Sequence, residues 1–269
     1  MKAYLHVGNE KTGTTSLQRY FATQIGGSGL YYPKTGRGGG DQHRQLFDDL
    51  ANGRDVSKFV DEVEGKAAIL ISSEAFSFMN EHADTAFANF SRLGFDVHMI
   101  CVVREARDFL PALYMEGLKF GRTETYPEFL QKHLPRLETQ RLKKTATKNG
   151  WKATFIPYSA NTLLSDFRSC IPELPQTGSL PYVNTTPPKN MAPLLLDMNR
   201  VFKDGSITRR TAHLMMKHGF GTQSPNQLSI PAEIAEKINQ IEATDEVRLG
   251  LFKHKSRRGN LPIFNGVRP

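Results

Sequence analysis

The chain has 269 residues, 39% of them hydrophobic and 23% charged, with a formal charge of +8 and a pI of about 9.4. That length suits one large α/β domain over residues 1–269, and the positive excess favours anionic partners without choosing among them. Two cysteines, Cys101 and Cys170, make no disulfide framework, no apolar run is long enough to span a bilayer, and no apolar leader opens the chain, so a cytoplasmic protein is expected.

Tyr4, Leu5 and Val7 form a short β-prone run, which Gly8 to Gly13 cannot continue. From Thr14 or Thr15 the apolar residues Leu17, Tyr20 and Phe21 recur at helical spacing. Strand, tight loop and helix N-terminus follow one another. Unpaired N–H groups and the positive end of the helix dipole make such a place an anion site. Lys11 adds a mobile charge, and Thr12, Thr14, Thr15 and Ser16 add hydroxyls around Gly13. The nucleoside-triphosphate loop G-x-x-x-x-G-K-[ST] is matched by Gly8 and Gly13, but its lysine is missing, since Thr14 holds that place.

The run His6-Val7-Gly8-Asn9-Glu10-Lys11-Thr12-Gly13-Thr14-Thr15-Ser16-Leu17-Gln18 resembles the 5′-phosphosulfate loop of sulfotransferases that use 3′-phosphoadenosine 5′-phosphosulfate (PAPS). Bacterial members read roughly H-x-G-x-x-K-T-G-T-T-S-L-Q there. The resemblance implies a P-loop-like three-layer α/β fold with a mostly parallel sheet. It also implies PAPS as co-substrate without a metal, and an acceptor hydroxyl on a carbohydrate or small metabolite rather than nucleic acid.

Further along, Gly26 to Gly29 end the first helix, and Leu30 to Pro33 are extended. Gly36 to Asp41 read as a flexible loop leading into a helix that Asp41 caps. A loop of that kind beside a histidine suits closure over a substrate, which makes His43 a proton-handling candidate. A helix over 56–66 precedes the apolar run Ala67–Ile71, which has the length of a buried parallel strand. Ser72-Ser73-Glu74 stands at its carboxyl end, where open parallel sheets bind ligands. Glu74 either complements the next helix's dipole or faces the Lys11 loop. It resembles the strand-end glutamate of bacterial sulfotransferases, which implies a general base, with His43 second.

Phe95 to Val103 reads as another buried strand ending on Arg104, followed by a turn and a helix from Phe109 to Phe120 with Pro111 in its first turn. Val103 to Asp108 resembles the family's 3′-phosphate motif R-x-P-R-D-x-x-x-S-x-Y, with Arg104 as the arginine. Ala106 and Ala112 replace its proline and serine. A guanidinium suits phosphate because it forks onto two oxygens. Residues 127–149 read as one long polar helix around Pro135, and Trp151 to Tyr158 as a fourth strand. Tyr158 stands where the family often has a tyrosine near the adenine. A connector rich in Pro and Thr follows from Ile171 to Pro188, with Asn184-Thr185-Thr186 inside it. The last third is helical: a stripe from Met191 to Phe202, then helices over 207–219 and 230–249. The basic segment Phe252 to Pro262 resembles a late 3′-phosphate loop of glycan sulfotransferases, with Arg257 and Arg258 as its cations. The competing functions are a P-loop kinase or NTPase and a non-catalytic nucleotide binder.

Overall fold

The computed structural model describes residues 1–26, 29–78, 80–181, 187–218, 228–252 and, for the backbone alone, 263–264. The chain divides into two compact units. One comprises Met1–Arg104, Glu138–Val183 and Asp245–Pro269, the other Glu105–Leu137 and Asn184–Thr244.

The first unit is built on a mostly parallel sheet flanked by helices, the fold class expected from the sequence. In chain order it contains β1 (Lys2–Gly8), α1 (Thr14–Gln24), β2 (Leu30–Tyr31), α2 (Arg44–Ala51), α3 (Ser57–Val63), β3 (Ala68–Ser72), α4 (Glu81–Ser91) and β4 (Asp96–Val103). The strands lie in the order β2-β3-β1-β4, with β1 parallel to β3 and β4. Their residues are apolar on both faces because helices cover both. Leu5, Val7, Ile69 and Met99 enter one core, and Tyr4, Leu70, Ile100 and Val102 the other.

The second unit is helical and begins with α5 (Ala106–Lys119) and α6 (Tyr126–His133). The helix α5 starts three residues before its predicted start, because the Glu105 carbonyl accepts from the amides of Asp108 and Phe109. Pro111 therefore lies inside the helix and not in its first turn, and it offers no N–H to the Arg107 carbonyl. The chain then returns to the first unit with α7 (Gln140–Lys148), β5 (Lys152–Pro157) and α8 (Leu163–Cys170). The predicted helix over 127–149 is thus two helices. The break follows Pro135, and the Asp245 carboxylate accepts from the amides of Thr139 and Gln140 where α7 begins.

The helical unit resumes with α9 (Ala192–Phe202), α10 (Gly205–Lys217) and α11 (Ala232–Thr244). Asp204 caps α10 by accepting from the Ser206 amide. The predicted helix over 230–249 also divides, giving α11 and α12 (Glu246–Phe252). The second carboxylate oxygen of Asp245 accepts from the amides of Val247 and Arg248 and opens α12. A strand not foreseen, β6 (Ile263–Phe264), pairs antiparallel with β5 and completes a six-stranded sheet. Among the described residues, no helix is long and apolar enough to cross a membrane.

Candidate anion site at the first strand's exit

From β1 the chain moves to one side of the sheet, and from β4 to the other. The loops leaving those two neighbouring strands therefore bound the switch point at which open α/β sheets bind ligands. The β1 loop bends through left-handed backbone at Lys11 (φ 63) and Gly13 (φ 77). Turns of this kind gather N–H groups into anion-binding concavities. The Thr12 hydroxyl donates to the Asn9 carbonyl, and the Gly13 carbonyl accepts from the Leu17 amide, so the loop is tied to itself and to α1.

Arg104, at the exit of β4, donates through Nη1 to the Lys11 carbonyl at 2.8 Å. Its guanidinium stacks over the Tyr158 ring, 5.0 Å from the centroid, and its Nε is buried with no hydrogen-bond partner among the described residues. Tyr158 is held in turn, because its amide donates to the Val103 carbonyl. Arg104 and Tyr158 thus brace the loop from the β4 and β5 side. Arg104→Lys is expected to remove the Nη1 bond and the planar stack on Tyr158 and to cost about 1 to 3 kcal/mol of stability, as loss of a charge-assisted bond does. Urea unfolding checks this, and an unchanged midpoint refutes it.

On the other side, Ser72, Ser73 and Glu74 leave β3. The Ser73 amide donates to the His6 carbonyl, and its hydroxyl caps the 3-10 turn Glu74–Ser77 by accepting from the Ala75 amide. The Glu74 carboxylate accepts from the Thr14 hydroxyl. The structure thus brings Lys11, Thr12, Gly13, Thr14, Thr15, Ser16, Glu74, Arg104 and Tyr158 to one end of the sheet. Two of the four hydroxyls are turned inward, Thr12 to the loop's own backbone and Thr14 to Glu74. Thr15 is exposed and Ser16 half-buried.

His43 does not stand on a mobile loop. It is fully buried; its Nε2 lies 3.0 Å from the Pro33 carbonyl, and its Nδ1 accepts from the Ser72 amide. Both nitrogens are committed to backbone, so His43 is a scaffold residue without reach to a substrate proton. The glycine-rich segment is pinned as well, since Arg37 donates to the carbonyls of Tyr32 and Pro33, and the Leu46 amide donates to the Gly36 carbonyl. Asp41 does not cap α2; it pairs with Arg19 instead. Ala112 lies buried in α5 of the helical unit. Arg257, Arg258 and the Asn184-Thr185-Thr186 segment lie outside the described residues.

Sequence reasoning missed the floor of the site. His6 is fully buried under the loop, its Nδ1 2.8 Å from the Ser72 hydroxyl, which also accepts from Gln18 Nε2. Its place in the motif was the available signal. Burial pushes the His6 imidazole down to about 3 and His43 down to about 4. Both values lie below the usual histidine value of about 6.5. Above that pH the folded and unfolded chains are both neutral at these sites. Below it, the unfolded chain takes up protons that the folded chain refuses, so stability falls as pH drops toward 4. The expected loss is about 1.4 kcal/mol per pH unit for each histidine. Denaturant unfolding across this range checks it, and a flat profile contradicts it.

No protein-family model matches the chain, and no curated protein matches it in sequence. Two solved structures are similar in fold. One is mouse sulfotransferase SULT7A1 complexed with PAP, with TM-score 0.46 and 12% identity over 94% of this chain and 89% of the other. The second comes from the PezAT chromosomal toxin-antitoxin system of Streptococcus pneumoniae, with TM-score 0.33 and 12% identity over 81% of this chain and 86% of the other. At such distances neither speaks to the chemistry of this chain, which rests on its own residues.

Proposed function

We propose that the chain is a PAPS-dependent sulfotransferase acting on the hydroxyl of a carbohydrate or small hydroxylated metabolite. The observation that carries this reading is the joining of the Lys11 loop to Arg104 across the switch point, with the Arg104 Nε buried and unmet among the described residues. An unmet buried donor is costly, and an oxygen of the donor's 3′-phosphate, brought beside the loop, would satisfy it. Gly13 has no side chain where a Cβ would lie 2.7 Å from Leu163 Cδ2, so the loop packs closely on α8 at the start of α1 and is held in shape there.

When bound, PAPS supplies an activated sulfuryl group and a phosphate leaving group. Lys11 stabilises negative charge at the bridging oxygen, and the amides at the start of α1 hold the 5′-phosphate. Glu74 accepts the acceptor's proton as the acceptor oxygen bonds to sulfur. The old sulfur–oxygen bond breaks and its electron pair stays on the phosphate. Side chains otherwise act by positioning.

The kinase reading lacks its lysine, since Thr14 is the first residue of α1 and its hydroxyl serves Glu74. Calorimetry with phosphoadenosine phosphate against ATP–Mg²⁺ separates the two. Preferential binding of ATP–Mg²⁺ would overturn the sulfotransferase reading. Ala112 in place of a serine favours the non-catalytic alternative, which a sulfate-transfer assay over hydroxylated acceptors decides.

A further inference from the structure

Thr14 is 2% exposed, and the fold uses both branches of its side chain. The hydroxyl donates to Glu74. The methyl faces Gly8, where an added Cβ would come within 2.5 Å of it. One torsion, χ1, sets both branches of a threonine. Seating the methyl against Gly8 therefore aims the hydroxyl at the carboxylate. A hydroxyl has a single proton to donate, and Glu74 already accepts it.

We propose that Thr14 is a positioning residue for Glu74 and not a hydroxyl ligand of the bound anion, and that its share of the anion site is its backbone N–H. This rests on the sulfotransferase reading above. Glu74 is then aimed from two sides. Its backbone is fixed through the Ser73 amide on β1, and its carboxylate through Thr14 on α1. A base placed this way meets the acceptor proton in one orientation. The threonine methyl explains why serine would serve less well, since serine keeps the donor but loses the lock on χ1.

The test is steady-state kinetics with PAPS, and calorimetry with phosphoadenosine phosphate, on the full chain. Thr14→Val keeps the shape and the methyl. It is expected to lower kcat about 10- to 100-fold, the scale of a misplaced catalytic group. KM for PAPS and Kd for phosphoadenosine phosphate should stay within about twofold. Thr14→Ser should restore most of kcat. In a Glu74→Gln background, Thr14→Val should change kcat by less than about twofold, since no base is then left for Thr14 to position. Weakened nucleotide binding with kcat intact would make the hydroxyl an anion ligand and overturn the proposal, as would fully additive losses. A parent chain that neither binds phosphoadenosine phosphate nor transfers sulfate overturns the sulfotransferase reading itself, and this proposal with it.

Discussion

Lys11→Ala is expected to cut sulfuryl transfer about 100- to 1000-fold while the fold survives, the scale of losing one oriented charge stabiliser. The substitution is clean for a structural reason. Lys11 has φ 63, and alanine bears the same left-handed penalty, so backbone strain is unchanged. The bond from Arg104 is to the Lys11 carbonyl, which alanine keeps. What is lost is the half-buried side chain with its own contacts, while the backbone of the loop is kept. Lys11→Gly makes a second arm. It should be just as inactive, yet more stable by about 1 kcal/mol, because glycine takes positive φ without cost. Near-normal turnover in either variant, measured with PAPS and an acceptor, would remove Lys11 from the chemistry.

Gly13→Ala should be the most damaging single change to the loop. Its φ of 77 costs an L-residue about 1 to 2 kcal/mol. The new methyl would also sit 2.7 Å from Leu163 Cδ2, a side chain that is itself buried and hard to move. Crowding in a packed interior adds about 1 to 3 kcal/mol. The expected sum is about 2 to 5 kcal/mol, together with loss of phosphoadenosine phosphate binding as the loop shifts away from α8. Chemical denaturation reads the first part and calorimetry the second. A variant with parental stability would mean that the approach of α8 to the loop is looser than these distances show.

The strands were legible because their message is local. Ala67–Ile71 is an unbroken apolar run and Met99–Val103 another, which only a two-sided burial tolerates, and both lie in inner strands of the sheet. The loop was legible for the same reason, since glycine, lysine and hydroxyl residues sit within a few positions. What failed was set at long range. The division of residues 127–149 depends on Asp245, more than a hundred residues away. The burial of His43 depends on Ser72 and Pro33 meeting its two nitrogens. Glycines around a histidine look mobile in a sequence, but Arg37 and the Gly36 carbonyl hold this segment down. Four hydroxyls in one motif look like four anion donors, and only packing reveals that Thr12 and Thr14 are turned elsewhere.

Asp245 bears on how this molecule can diverge. The polypeptide re-enters the sheet-bearing unit at Glu138 and again at Asp245, and one carboxylate stitches both re-entries by holding the first amides of α7 and α12. The helical unit is supplied by two excursions, Glu105–Leu137 and Asn184–Thr244, and each ends where the chain comes back to this carboxylate. A change of length inside either excursion leaves this anchor and the strands of the sheet untouched, so the helical segments can vary while the strand exits keep their geometry.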